Sequence, residues 1–250
     1  MKYLLTIFFV LFGFDFEYQH QVPTTNGINN YITFFGEDIA VELQEYLKDS
    51  IYDFFIKTDD LSEYTDYDTM ELGRFYYPDE IIINNEEKFL EYELRLLPKP
   101  KQRQNRHSGK FVKAVVIHEL SHVYFNQVVR VMQYNKQVIS KDYVTERQLL
   151  GNKTNWCVEF IEEGICEYIS QKMGESLYDD DFDVKSTKII AMSNDYLVKY
   201  RYSSAYVREF MDSCIKADGS PRQALEILIR NPAPSIDEII YKEKYFNRLK

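Results

Sequence analysis

Apolar residues recur along this chain at a helical period in some stretches and crowd into short runs in others. Between residues 36 and 57, Ile39, Leu43, Tyr46, Leu47, Ile51, Phe54 and Phe55 share one helical face, which predicts an amphipathic helix. Residues 72–77 and 81–84 are short runs rich in apolar and aromatic residues that predict strands, and 89–97 reads as a third. Residues 110–135 contain no Pro or Gly, and Val112, Val115, Val116, Leu120, Val123, Tyr124, Val128 and Val131 recur close to a 3.6 period. Valine weakens helix preference, but the run is too long for one strand. It predicts a half-buried helix opened near Ser108 and Gly109. A second helix is predicted from Thr154 or Asn155 as N-cap to Gly174. Helices over 184–200 and 203–217 follow. Ser220-Pro221-Arg222-Gln223 and Ser235-Ile236-Asp237-Glu238 then read as capping boxes opening two final helices. The predicted class is α+β, with a mixed N-terminal lobe holding a small sheet and a helical C-terminal lobe. A chain of 250 residues suffices for one core, with lobes of about 17–135 and 154–250 around a cleft.

The candidate chemistry lies in the middle of the first long helix. His118-Glu119-Leu120-Ser121-His122 sets two imidazoles four residues apart, and the chain has only four histidines. Residues i and i+4 lie on one helix face, so His118 and His122 can share a metal ion, with Glu119 beside them to handle a bound water. A third protein ligand is needed. A further histidine six residues on, after an intervening glycine, would supply it, but those positions hold Val128 and Phe125.

A later helix offers carboxylates instead: Trp156-Cys157-Val158-Glu159-Phe160-Ile161-Glu162-Glu163-Gly164-Ile165-Cys166-Glu167-Tyr168. With this second motif the chain resembles the gluzincin peptidases, the thermolysin-like and aminopeptidase-like zinc proteases. The small minigluzincin or peptidase MA-like members look closest. Their second motif reads roughly W-x-x-E-G-x-A-E-Y, and Cys166 stands where they usually have Ala. The resemblance implies a zincin-like fold with the cleft between the lobes. It implies Zn2+ held by His118, His122 and Glu163, and Glu167 one turn on as the carboxylate that orients the first histidine. Tyr200-Arg201-Tyr202-Ser203 opens a segment similar to the family helix whose leading tyrosine donates to the oxyanion. That tyrosine is Tyr200, or Tyr202 if the register moves by two. Residues 31–35, a long helix and 81–84 look like the family's strand–helix–strand lead-in. The resemblance spans roughly residues 28–250, and only the HExxH and EGxxEY pieces are specific. Forty residues separate His122 from Glu163, more than in those enzymes, and the extra segment, about 136–153, reads as a loop or short helix beside the cleft. Among the other carboxylates, Glu159 lies one turn before Glu163 on nearly the same face and stays an alternative ligand. Glu162 lies about 100° away and is expected to face elsewhere. The glycine after Glu163 is expected where the HExxH helix comes close.

The activity implied is hydrolysis of peptide bonds in a peptide or protein substrate, with Glu119 as general base and Tyr200 at the oxyanion. No G-x-M-E-N stretch for a substrate amino terminus is present, which favours an endopeptidase. A zinc-binding regulatory or interaction module without turnover is the alternative.

Charge and composition narrow the partners. A net charge of −10 and a pI near 5.0 argue against nucleic acid, because phosphate binding needs basic clusters. Residues 4–14 form an apolar run behind Lys2, too short to span a bilayer. They read as a signal peptide over about residues 1–16 of an exported protein, although no A-x-A site follows. The alternative is a buried strand over 6–12. Three cysteines leave one odd, and Cys157 and Cys166 point to opposite sides of their helix. His20 and His107 read as solvated. The Asp179-Asp180-Asp181-Phe182-Asp183 run reads as a solvated loop rather than a calcium site, and Asn152-Lys153-Thr154 matches a glycosylation sequon.

Overall fold

A computed structural model describes residues 27–52, 54–61, 72–76, 79–84, 109–144, 156–173, 196–216 and 220–249. The class is α+β: mostly helical, with one small mixed sheet. In chain order the elements are α1 (Gly27–Leu47), β1 (Phe55–Asp59), β2 (Gly73–Tyr76), β3 (Glu80–Asn84), α2 (Gly109–Tyr134), α3 (Lys141–Val144), α4 (Trp156–Lys172), α5 (Tyr196–Lys216), α6 (Pro221–Arg230), α7 (Ile236–Ile240) and α8 (Lys242–Leu249). The predicted signal segment, strand 89–97, acidic run, sequon, His20, His107, and the N-cap and Gly174 expected to bound α4 all lie outside the described residues.

The sheet order is β1-β3-β2. β1 runs parallel to β3, with Phe55 opposite Glu80 and Asp59 opposite Asn84. β2 runs antiparallel to β3, with Gly73 opposite Ile83 and Tyr76 opposite Glu80. Ile81, Ile82 and Ile83 of the central strand are all buried, as a continuous apolar run predicts for a strand covered on both faces. α1 and α2 pack on this sheet; α4 packs on α2, and α5 packs on α4.

The N-terminal part differs from the sequence expectation in two ways. Residues 31–35 belong to α1 rather than to a strand, so the aromatic and β-branched preference there gives way to a continuing helix. The predicted helix over 36–57 ends at Leu47. Lys48 takes a positive φ of 54°, and side chains then capture the backbone beyond it. The Gln44 carbonyl accepts from Ile51 N at 3.0 Å, and the Gln127 carbonyl accepts from Tyr52 N at 3.0 Å. Asp49 accepts from Arg222 at 2.6 Å and from Tyr124 at 3.1 Å, which ties this exit to α6 and α2. The apolar positions after Ile51 then serve an extended strand instead of a helix face.

α2 was expected to be half-buried, but from Val112 to Val129 only Lys113 and Gln127 are more than marginally exposed. The sheet and α1 cover one side and α4 and α6 the other. Lys113 keeps its charge at the edge by reaching Glu42 at 2.7 Å. Tertiary burial therefore holds a valine-rich helix that propensity alone disfavours. The C-terminal helices follow the sequence more closely. Ser235 and Glu238 form a reciprocal capping box, whereas Ser220 makes no side-chain cap and Pro221 alone opens α6. The expected break between 200 and 203 is absent, because α5 runs through it.

Candidate metal centre

α2 and α4 cross antiparallel, which follows from their pairings. His118 faces Glu163 and Glu167, His122 faces Glu162 and Glu163, and Ser170 donates to the Ala114 carbonyl. Two imidazoles one turn apart thus meet carboxylates from one helix. Glu163 Oε2 lies 3.1 Å from His118 Nε2 and 3.4 Å from His122 Nε2. The three residues form a group whose ligand atoms all lie within 4.8 Å of one another. Zinc ligands sit about 2.0–2.1 Å from the ion, so at a tetrahedral angle they lie about 3.3 Å apart. The two nitrogen–oxygen distances bracket that separation, and the three ligand atoms stay within 4.8 Å of one another, so the group could hold a metal ion such as zinc.

The partners behind the ligands are also carboxylates. Glu167 Oε2 lies 3.6 Å from His118 Nδ1, and Glu167 is held in turn by Gln171, which donates at 3.2 Å. Ser204 and Arg208 of α5 donate to the carbonyl of that Gln171 at 2.9 and 3.1 Å. Glu162 was expected to face elsewhere. It is instead wholly buried, with Oε1 2.7 Å from His122 Nδ1. Its angular offset from Glu163 lets the pair straddle His122: Glu163 reaches the Nε2 side and Glu162 the Nδ1 side.

Burial opposes the imidazolium of His118, but Glu163 and Glu167 outweigh it and hold the pKa well above the ordinary value of 6.5. Burial opposes that of His122 too. Cys166, Glu163 and Glu162 counter it, and the result is again a value well above 6.5. Burial pushes the Cys166 thiol up, so the charge on this side comes from the carboxylates. Burial would raise the Glu163 carboxyl, but the two imidazoles hold it far below the usual carboxylate range. The three cysteines are free, with Cys166 buried beside His122.

Strand β2 lies along the other side of α2. A Cβ at Gly73 would meet Val115 Cγ1 at 2.7 Å, Glu119 Cγ at 2.9 Å and Glu119 Oε1 at 3.0 Å, so the buried Glu119 side chain lies directly under the strand backbone. Two residues on, the Phe75 ring lies parallel to the His122 imidazole, 6.1 Å between centroids. Gly73 and Phe75 share the strand face toward α2 because side chains alternate. No sequence signal short of the tertiary pairing marks either of them, or Glu162.

Gly164 also has a tertiary cause, but not the expected one. A Cβ there would meet the Ser203 carbonyl oxygen at 2.5 Å, so α5 makes the close approach, not the HExxH helix. Tyr200 lies on α5 one turn before Ser203, and its side chain is outside the described residues. Tyr202, the other candidate, is buried in the core and donates its hydroxyl to the Ile239 carbonyl at 2.7 Å. That leaves it no part in an oxyanion site. Glu159, the alternative ligand, lies on α4 one turn before Glu163 and is not in the ligand group. The segment after α2 contributes the short helix α3, whose Tyr143 packs on Phe125.

No protein-family model, curated protein or solved structure matches this chain.

Proposed function

We propose that this chain is a zinc-dependent peptidase of zincin-like fold. The carrying observation is the triad of His118, His122 and Glu163, whose ligand atoms lie within 4.8 Å of one another, with Glu163 Oε2 3.1 and 3.4 Å from the two Nε2 atoms. The surrounding charge supports a cation. Glu162, Glu163 and Glu167 are all buried against two imidazoles, and buried carboxylates need a positive partner.

A bound zinc supplies Lewis acidity and a water whose pKa falls towards ~7. His118 and His122 would hold it from one face of α2, and Glu163 from α4. Glu119 takes a proton from the attacking water and passes it to the leaving amine. The β2 backbone at Gly73 fixes Glu119 from above, which limits the positions its carboxylate can take. The family resemblance assigns the oxyanion donor to Tyr200, and loss of such a donor costs about 3 kcal/mol in comparable sites. The substrate is a peptide or protein, and internal cleavage is favoured.

The experiment is hydrolysis of an unfolded protein substrate by the zinc-loaded parent and by Glu119→Gln. The expected result is cleavage by the parent, none by the variant, and equal zinc in both. A Gln variant that cleaves at the parent's rate would remove Glu119 from the mechanism. A zinc-loaded parent inert on every peptide tested would leave a silent zinc module.

A further inference from the structure

Glu162 is a buried carboxylate that neither the metal triad nor the proton transfer uses. It is completely buried, on the helix that carries Glu163, and its Oε1 lies 2.7 Å from His122 Nδ1. That is the length of a charge-assisted hydrogen bond. The other nitrogen of the same ring points at Glu163 Oε2, 3.4 Å away. The ring is therefore bracketed by adjacent residues of α4, one on each nitrogen. On its free face it is flanked by Phe75, whose ring lies parallel to it.

We propose that Glu162 is a positioning residue for the metal centre: it accepts the Nδ1 proton of His122, fixes that tautomer, and leaves Nε2 as the metal-facing nitrogen. The inference rests on the reading that His118, His122 and Glu163 hold a metal. It extends that reading to which nitrogen binds and what holds the ring in place. A neutral imidazole carries one proton on one of two nitrogens, and an acceptor on Nδ1 decides between them. Glu167 Oε2 stands 3.6 Å from His118 Nδ1, an ion-pair separation beyond hydrogen-bond length. The two histidines are thus not held alike, and of the two it is His122 that has the carboxylate hydrogen bond at Nδ1. Asn126 secures the same turn of α2 by donating to the His122 carbonyl at 2.8 Å. With its ring held on Nδ1 and its backbone held by Asn126, His122 can turn little, so the metal-facing atom is preset.

The test uses the full chain loaded with zinc. Zinc affinity is measured by competition with a chromophoric chelator for the parent, Glu162→Ala, Glu162→Gln and Glu163→Ala. The His122 tautomer is read in the loaded parent by nitrogen–proton correlation NMR. The expected tautomer has a proton on Nδ1 and the metal on Nε2. Glu162→Ala should weaken zinc about 10–100-fold. Glu162→Gln, which keeps the volume and an acceptor oxygen, should recover most of that loss, a rescue that simple core packing around a buried carboxylate would not require. Glu163→Ala, which deletes a ligand, should lose more than either. Metal on Nδ1 of His122, or parental affinity in Glu162→Ala, would overturn the role of Glu162 and leave the metal site standing. If Glu162→Ala fails to fold, the tautomer in the parent decides. A parent that takes up no zinc would sink the metal reading, and the role of Glu162 with it.

Discussion

Gly164→Ala isolates the packing that delivers Glu163 to the site. The added carbon would lie 2.5 Å from the Ser203 carbonyl oxygen, 2.7 Å from its carbonyl carbon and 3.0 Å from its Cβ. Ordinary contact begins at 3.4 Å, so α4 and α5 must part by about 0.9 Å at this crossing. Two of the three atoms are backbone, so a rotamer change cannot relieve the clash. Gly→Ala in an unconstrained helix stabilises by about 1 kcal/mol, and overpacking costs about 1–3 kcal/mol. With backbone on one side the cost falls at the upper end, for a net loss of about 1–2 kcal/mol. The adjacent Glu163 moves with the helix, whereas metal–ligand distances tolerate only about 0.2 Å. Zinc affinity should therefore fall at least about ten-fold. Urea denaturation of the metal-free chain measures the first effect and chelator competition the second. A variant stabilised by about 1 kcal/mol that binds zinc as the parent does would refute the assigned crossing of α4 and α5.

Gly73→Ala presses on Val115 and Glu119 rather than on backbone, so the fold should accommodate it while Glu119 shifts. The expected result is parental zinc content with peptide hydrolysis reduced at least about ten-fold, measured as kcat/KM; unchanged kcat/KM would separate β2 from Glu119. The metal-free chain should show a pH optimum in stability from this cluster. Glu163, whose carboxyl is depressed on folding, contributes stability that is present above its ordinary 4.5 and lost as pH falls through the depressed value. His118 and His122, whose values are raised, contribute stability that is full below their ordinary 6.5 and lost as pH rises through the raised values. The Tm of the metal-free protein should therefore fall from slightly acidic to alkaline pH. Zinc, which replaces both imidazole protons, should stabilise increasingly over that window. A gap between loaded and metal-free Tm that narrows with rising pH would contradict the cluster.

What the sequence made legible is local. α2 and α4 could be read from unbroken helical periods, and the candidate metal pair followed from the i, i+4 spacing of His118 and His122. Glu163 required the later motif, and its convergence with the histidines is a property of the antiparallel crossing. Features decided by neighbours were not legible. Glu162 was set aside because a single helix face was considered, whereas α2 lies close enough for adjacent glutamates to straddle one ring. β1 was missed because residues 48–57 continue an apolar helical pattern without Gly or Pro, and the helix is ended by Gln44, Asp49 and Gln127 instead. The predicted helices over 184–200 and 203–217 left a gap at Arg201 and Tyr202, yet α5 runs through it and Ser203 and Ser204 are wholly buried within it. At Ser203 that small residue lets α5 approach Gly164. The extent of burial of α2 likewise depends on packing from both sides, which no single-helix period reveals.

Elemental analysis of the purified full chain, alone and as Glu163→Ala, tests the metal centre most directly. One zinc per chain in the parent, lost in the variant, is the predicted result. A parent that holds no zinc after remetallation at neutral pH, or a variant that keeps its zinc undiminished, would contradict it.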